Sequence, residues 1–300
     1  MNELHVHLDG SLRRETLNEL ARKNDINISH DFGFRNGMSL QQALSMFKTT
    51  VALMKNSETL TRVSRELCED LKEDGVDYAE IRFAPHLHGN DLNKIVDDVC
   101  KGLKFNFKLI LCGLYGDSPK LIEEFVDIAI NNPDVVGIDV AGGPHTSHKY
   151  GLKDYEKSFL YAKDKGIGTT IHAGEGRNVK EIIAAANVLN VDRIGHGCTI
   201  LDSDYAVALI KHKQIIIEAC PTSNVHTGIY KNIKEHPVKE WIKNEIPVVV
   251  CADNLLMSRT TTSREIIDCN LTSDEKLWIE QSGLKGRFYK EDSYEKRITR

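Results

Sequence analysis

The chain of 300 residues carries a formal net charge of −5, with 41% hydrophobic and 28% charged residues. This composition supplies enough apolar residues for a sizeable core and excludes an intrinsically disordered protein. Acidic and basic residues are interspersed, without a basic stripe, a nucleic-acid motif or an apolar run of transmembrane length, so neither nucleic acid nor a membrane is an expected partner.

Short β-rich runs alternate with longer helical patterns along the whole chain. The runs IIIEA and VVVCA are nearly continuous apolar stretches, which are typical of parallel strands buried on both faces. On this pattern we predict strands at residues 4–8, 78–83, 108–114, 135–140, 168–172, 192–195, 215–219 and 247–251.

The segments between these strands have apolar residues at helical spacing, as in LTRVSRELCEDLKEDG. Gly75 and Gly166 follow charged helix ends, where glycine commonly ends a helix. The first connection, residues 10–77, is too long for one crossover helix. SLQQALSMFKTTVALM and LTRVSREL predict extra helices there, and this segment is the candidate cover for a binding pocket.

Eight strands separated by helices, without a composition break or a Pro/Gly-rich linker, predict an α/β fold. We expect a (β/α)8 TIM-type barrel with extra helices between strands 1 and 2, and one domain over residues 1–300. A doubly wound open sheet is the alternative, but no G-x-G-x-x-G or Walker sequence follows a predicted strand.

The seven cysteines are widely scattered and contain no C-x-x-C pair. This usage is typical of reduced thiols in a cytoplasmic protein. A histidine at position 5, within a predicted strand, leaves no room for a signal peptide. We therefore expect a cytoplasmic location.

Reactive side chains cluster at the predicted strand ends, where barrel enzymes carry their chemistry. The first strand ends in HVHLD, the fifth in TTIHAGE, the sixth in RIGHG and the eighth in VVVCADN. One end of the barrel should therefore hold His5, His7, Asp9, His172, Glu175, His196, Asp253 and Asn254.

Residues i and i+2 of a strand face the same side, so His5 and His7 should both point into the barrel. With His172 and Asp253 they form a set of three nitrogens and one oxygen that suits Zn²⁺ and can leave a position for water. Taken singly, each residue has a structural alternative, such as a packed core histidine or a helix N-cap for Asp253. Their joint placement at separate strand ends favours a metal site.

A second H-x-H pair, His86 and His88 in APHLHG, follows strand 2 where strand alternation is not assured. We expect these two side chains at a substrate-facing rim rather than at a metal. His145 and His148 lie in a polar loop and are expected at the rim or in solvent.

The ordered motifs ELHVHLDGSL, YAEIRFAP, GIDVAGG, TIHAGE, RIGHG, CPTSN and CADNLLMSRTT resemble the adenosine deaminase family. The resemblance covers nearly the whole chain. It implies a zinc-dependent (β/α)8 barrel that converts adenosine, and 2′-deoxyadenosine, to inosine or its deoxy form plus ammonia in purine salvage. The expected cofactor is one Zn²⁺ per chain, and the expected partner is a small purine nucleoside.

The resemblance also assigns roles to single residues. Glu175 resembles the proton donor to the purine N1, and His196 resembles the residue that orients or deprotonates the attacking water. The implied zinc ligands are His5, His7, His172 and Asp253.

Three further positions match substrate contacts in the family. Gly142 matches a backbone N–H donor to the purine N3, and Asp9 matches the acceptor of the ribose 5′-hydroxyl. Because a carboxylate repels a 5′-phosphate, Asp9 favours a nucleoside over AMP. Many members have Asp-Asp where this chain has Asp253-Asn254; an amide N–H of Asn254 can donate to the purine N7, so the change is compatible with activity.

Three alternatives stay open at this point. The first is deamination of another 6-aminopurine, such as adenine or an N6-modified adenine nucleotide. A binuclear amidohydrolase would need a bridging lysine near the end of strand 4, where GIDVAGG has none. A catalytically inactive barrel used for binding would not need the intact set of metal-binding and acid–base residues.

Overall fold

The computed structural model describes residues 1–289, in which eight parallel strands form one sheet with neighbours in chain order. Each strand from the first to the seventh pairs in parallel with the next. The strands are β1 (Asn2–His7), β2 (Tyr78–Phe83), β3 (Lys108–Leu114), β4 (Val135–Ala141), β5 (Gly168–Ala173), β6 (Arg193–His196), β7 (Ile216–Ala219) and β8 (Val248–Val250).

The sheet closes where the chain beyond β8 meets β1. Asp253 forms a parallel bridge with Val6. The N–H of His7 donates to the Asp253 carbonyl at 2.7 Å, and the N–H of Asp253 donates to the His5 carbonyl at 2.9 Å. The predicted (β/α)8 barrel is confirmed, and its closure places Asp253 directly beside the two histidines of β1.

Helices follow the strands and surround the barrel. The first three lie between β1 and β2, which confirms the extra helices predicted there. The helices are α1 (Arg14–Lys23), α2 (Leu40–Leu53), α3 (Ser57–Glu73), α4 (Leu92–Cys100), α5 (Pro119–Asn131), α6 (Glu156–Asp164), α7 (Lys180–Ala184), α8 (Asp204–Lys213), α9 (Pro221–His226), α10 (Val238–Lys243), α11 (Leu255–Ser258), α12 (Thr262–Asp268) and α13 (Ser273–Gly286).

Local sequence explains where the inserted helices begin. Ser39 caps α2 by accepting from the N–H of Gln42, whose side chain in turn accepts from the N–H of Ser39. Asn56 caps α3 in the same position by accepting from the N–H of Thr59. These caps fix the start of two of the three helices that separate β1 from β2.

The interior of the barrel contains charged side chains that are fully buried. Arg82 donates to Asp139 at 2.8 Å and to Glu218 at 2.9 Å, while Arg193 donates to Glu80 and Glu218 at 2.6 Å each. All five side chains have no exposure to solvent. Because each charge is paired, the interior tolerates them, and the pairs cross-link β2, β4, β6 and β7.

The end of α13 and the residues after it cover the amino-terminal end of the barrel. The carbonyl of Gly286 accepts from Arg193 at 2.8 Å, and the Phe288 ring lies 3.6 Å from the same guanidinium group. This end of the barrel is therefore filled, and the opposite end carries the cavity. Within residues 1–289, no helix combines the length and the apolar character needed to cross a membrane.

Candidate active site

A cavity of about 430 Å³ opens at the carboxyl ends of the strands. All of the predicted site residues except His5 line it, and His5 lies fully buried beneath it. The lining residues from the predicted set are His7, Asp9, Gly142, His172, Glu175, His196, Asp253 and Asn254.

The predicted zinc ligands converge at the floor of this cavity. Nε2 of His7 lies 3.2 Å from Nε2 of His172, and Oδ1 of Asp253 lies 3.4 Å from Nε2 of His7 and 3.5 Å from Nε2 of His5. Ligand atoms of the three histidines lie within 4.8 Å of one another, as do those of His5, His196 and Asp253. This spacing allows one ion to contact donors from three different strand ends.

His5 gives the clearest test of whether the donor set suits a metal. Its Nε2 is buried and has no hydrogen-bond partner among residues 1–289. A buried ring nitrogen without a partner is unfavourable unless something else binds it. Imidazole nitrogens and a carboxylate oxygen form a ligand set that suits Zn²⁺, so the residues fit this ion.

Two buried carboxylates orient His5 and His172 through the Nδ1 atoms, which face away from the cavity. Nδ1 of His5 lies 2.7 Å from Glu218, and Nδ1 of His172 lies 3.1 Å from Asp139. Arg82 binds both carboxylates, so one guanidinium group joins the two pairs. Because each carboxylate accepts an Nδ1–H, the Nε2 atoms of both rings are left without protons and face the cavity floor.

The electrostatic environment keeps His7, His172 and Asp253 in the protonation states that bind a metal. Burial lowers the pKa of His7 well below its usual range, and it lowers the pKa of His172 as well. Burial alone would raise the pKa of Asp253, but the neighbouring histidines His5, His7 and His196 hold it far below its usual range. Neutral imidazoles and an ionised carboxylate are the forms that ligate zinc.

Glu175 lies on the cavity wall beside His196. Its Oε1 is 3.8 Å from Nε2 of His196, and its Oε2 is 3.5 Å from Nη1 of Arg177. Burial raises the pKa of Glu175 to about 7, in spite of the opposing charge of Arg177. The carboxyl group can therefore hold a proton near neutral pH, which suits a general acid.

His196 is held by hydrogen bonds that the sequence did not reveal. The side-chain amide of Asn224 donates to Nδ1 of His196 at 3.0 Å and accepts from Nε2 of His236 at 3.2 Å. With Nδ1 acting as an acceptor, the neutral ring carries its proton on Nε2, which faces Glu175. His196 and Asp253 both have positive φ, 66° and 62°, a strained geometry that turns their side chains into the cavity.

The remaining predicted residues, Asp9, Asn254 and Gly142, line the wall of the cavity. Asp9 accepts from the N–H of Ala84 at 3.3 Å. Asn254 is 2% exposed and packs so closely on Gly10 that a Cβ at position 10 would lie 1.8 Å from its Oδ1. Gly142 has a φ of 74°, which a glycine adopts without strain, and it leaves the backbone accessible from the cavity.

Helix α2 covers the cavity from the solvent side. Its lining residues recur at helical spacing and are mostly apolar: Leu40, Ala43, Leu44, Phe47, Lys48 and Val51. The predicted covering segment after Gly10 therefore contributes an apolar face suited to a flat aromatic ligand.

The second H-x-H pair does not lie at the rim as a unit, so the prediction was wrong for His88. Residues 85–87 form a 3-10 turn, and the two rings consequently diverge. His88 is buried and its Nε2 lies 2.7 Å from Asp9, whereas Nε2 of His86 lies 3.1 Å from Asp117. His148 lines the cavity, and His145 is exposed.

Sequence reasoning missed the residues behind the ligands, namely Arg82, Asp139, Glu218 and Asn224. The available signal was a charged residue inside an otherwise apolar strand, as in YAEIRF, GIDVA and IIEA. A charge buried on both faces of a strand needs a partner, and here the partners are His5, His172 and Arg82.

Comparisons with known proteins agree with this geometry. The family model described as adenosine deaminase matches residues 1–293. An adenosine deaminase of Clostridium botulinum (strain 657 / Type Ba4) is 36% identical over 287 residues, which cover 88% of this chain and 85% of that protein.

Solved structures give the same fold. The N6-mAMP deaminase of Arabidopsis has a TM-score of 0.83 at 27% identity, covering 99% of this chain and 96% of that one. An adenine deaminase of Arthrobacter aurescens has a TM-score of 0.86 at 22% identity, covering 99% and 96%. The sequence matches extend over most of the chain, and the chain therefore belongs to the adenosine deaminase family of hydrolytic deaminases.

Proposed function

We propose that this protein deaminates adenosine, and 2′-deoxyadenosine, to inosine or 2′-deoxyinosine plus ammonia. The observation that carries the proposal is the convergence of three histidines, Asp253 and Glu175 on one cavity, which the apolar face of α2 covers. Relatives that are named adenosine deaminase support the choice of substrate.

The metal in this proposal is one Zn²⁺ per chain. His5, His7, His172 and Asp253 would hold it, with Glu218 and Asp139 fixing the rings of His5 and His172. Zinc bound there would supply Lewis-acid activation of water at neutral pH.

Glu175 supplies the proton that the purine ring requires. Attack of water at C6 breaks the aromatic delocalisation and places negative charge on N1. A protonated Glu175 can neutralise that charge by donating to N1, and its pKa of about 7 keeps the proton available. Of the two protons of the water, one replaces the proton that Glu175 gave to N1, and the other is transferred to the C6 amino group, which then leaves as ammonia.

His196 orients the attacking water. With Nδ1 accepting from Asn224, its Nε2–H is a donor that orients the oxygen of this water toward C6. This tautomer supports the orienting role over the deprotonating role, because the nitrogen that faces the cavity already carries a proton.

Gly142, Asn254, Asp9 and helix α2 bind the rest of the nucleoside. The backbone N–H of Gly142 donates to N3, and the Asn254 amide donates to N7. Asp9 accepts the ribose 5′-hydroxyl, and the apolar face of α2 covers the purine. A 5′-phosphate would bring a second anion beside the Asp9 carboxylate, which favours the nucleoside over AMP.

A second candidate substrate is adenine or an N6-modified adenine nucleotide. Structural likeness to the N6-mAMP deaminase of Arabidopsis favours the nucleotide. Lys48 and His148 on the cavity lining are the side chains that could meet its phosphate.

The proposal is tested by product analysis with purified, zinc-loaded protein. Adenosine should yield inosine and ammonia in equal amounts, and the Glu175→Gln variant should yield neither at a comparable rate. If adenosine persists while adenine or an N6-modified nucleotide is consumed, the second candidate replaces the first.

We also propose a cytoplasmic location. All seven cysteines lie within residues 1–289, and all are free thiols, which supports a reducing compartment.

A further inference from the structure

His88 is a buried side chain for which the catalytic proposal has no role. It follows β2 and the short turn Pro85–Leu87, and it is 3% exposed. Its Nε2 lies 2.7 Å from Oδ1 of Asp9, and its Nδ1 lies 2.8 Å from the carbonyl oxygen of Met54. The ring therefore joins the predicted sugar contact to the residue that ends helix α2.

Both partners of His88 are hydrogen-bond acceptors. A carbonyl oxygen cannot donate, so Nδ1 must carry a proton, and an ionised Asp9 requires a second proton on Nε2. A neutral imidazole has only one N–H, so this geometry is satisfied by an imidazolium ring. Met54 lies at the carboxyl end of α2, where the helix dipole favours a positive charge.

The charges and hydrogen bonds around His88 also favour the imidazolium form. Burial by itself would lower the pKa of His88, but the charge and hydrogen bond of Asp9 and the Met54 carbonyl raise it above its usual value. The resulting pair of His88 and Asp9 is electrically neutral, which makes its burial tolerable.

The pairing restricts what Asp9 can still bind. Its Oδ1 is occupied by His88, and its Oδ2 already accepts from the N–H of Ala84 at 3.3 Å. Each oxygen retains one further acceptor direction, and Asp9 lines the cavity. The carboxylate is therefore fixed in one orientation and can still accept a hydroxyl group.

We propose that His88 is a positioning residue for sugar recognition: it holds the Asp9 carboxylate so that one oxygen accepts a single hydroxyl of the substrate, and it ties this contact to the helix that covers the cavity. The inference rests on the proposed function, in which Asp9 accepts the 5′-hydroxyl of a nucleoside.

The kinetic test compares adenosine with 5′-deoxyadenosine, which lacks that hydroxyl. The variants are His88→Leu, His88→Gln and the control His86→Leu, whose native ring faces Asp117 from the same H-x-H motif. For adenosine we expect His88→Leu to raise KM about tenfold, with kcat changed by less than about twofold. The KM for 5′-deoxyadenosine should change much less.

The other two variants sharpen the result. His88→Gln, whose amide can still donate to Asp9, should recover part of the loss, and His86→Leu should behave as the wild type. Zinc content should stay at one per chain in all three. An equal rise of both KM values in His88→Leu, or a loss of zinc, would show that His88 serves packing and would overturn the proposal.

A second measurement needs no substrate. Nitrogen-15 NMR of the histidine side chains, with His88→Gln used for assignment, should show both His88 nitrogens protonated at neutral pH in the zinc-loaded protein. An unprotonated Nε2 would overturn the inference even if adenosine is turned over. If the wild type does not turn over adenosine, the proposed function fails and the sugar role fails with it, while the NMR result still decides the state of the pair.

Discussion

Oδ2 of Asp139 lies 3.1 Å from Nδ1 of His172, and Nη1 of Arg82 binds the same carboxylate oxygen at 2.8 Å. Asp139 itself is fully buried. The carboxylate therefore fixes the tautomer of a ring whose Nε2 faces His7, and a buried arginine fixes the carboxylate. Such support behind a metal ligand raises its basicity and limits its rotation.

The first prediction concerns this support. Asp139→Asn should lower zinc affinity by about 10- to 100-fold, because the amide cannot replace the charge that orients His172. Competition with a chromogenic chelator measures the affinity. Asp134→Asn is the matched control, since Asp134 precedes the same strand, is partly exposed and pairs with Lys108 away from the cavity. Equal zinc affinities in the two variants would contradict the role given to Asp139.

Removal of the proton donor forms the second prediction. Glu175→Gln should fold, keep one zinc per chain and lose about 10²- to 10⁴-fold in kcat, the range typical of a missing general acid. Steady-state assays with adenosine, alongside metal analysis of the same sample, measure both properties. Turnover at the wild-type rate would remove Glu175 from the mechanism.

The third prediction tests recognition of the sugar. Asp9→Asn should raise KM for adenosine about tenfold, because the amide is a weaker acceptor and leaves the charge of His88 unpaired. Adenine has no ribose, so its turnover should change much less. An unchanged KM for adenosine would mean that Asp9 does not contact the ribose.

A buried carboxyl group away from the proposed metal site supplies the fourth prediction. Glu265 on α12 is 1% exposed and accepts from the N–H of Thr222 and the hydroxyl of Thr260. Burial raises its pKa to about 7 from a model-compound value of 4.5. The folded state therefore favours the neutral carboxyl group.

The sign of the pH effect follows from this shift. The contribution of Glu265 to stability is fully present below about pH 4.5 and is lost as the pH rises through 7. The free energy of unfolding of the wild type should fall relative to that of Glu265→Gln by up to about 3 kcal/mol over this range. Urea denaturation of both proteins at several pH values measures the difference; a difference independent of pH would contradict the raised pKa.

The barrel was predictable because the sequences of buried parallel strands are short apolar runs. The predicted strand ends differ from those in the structure by no more than two residues. The histidines proposed as zinc ligands were also accessible to sequence reasoning, since the alternation of strand side chains places His5 and His7 on one face.

Other parts of the site were not predictable, because they depend on contacts between distant strands. Asp139 and Glu218 each stand alone in an apolar strand, and nothing local shows that both bind Arg82. The role of His88 was hidden for a different reason. A turn follows β2, so the alternation rule does not apply, and the two histidines of APHLHG contact different partners.

The most direct test of the account is a comparison of kcat/KM for adenosine, 2′-deoxyadenosine, AMP and adenine with one preparation of zinc-loaded protein. The highest values are expected for the two nucleosides, with AMP disfavoured by the Asp9 carboxylate and adenine by the loss of the ribose contact. Rapid turnover of AMP or adenine with slow turnover of adenosine would contradict this expectation.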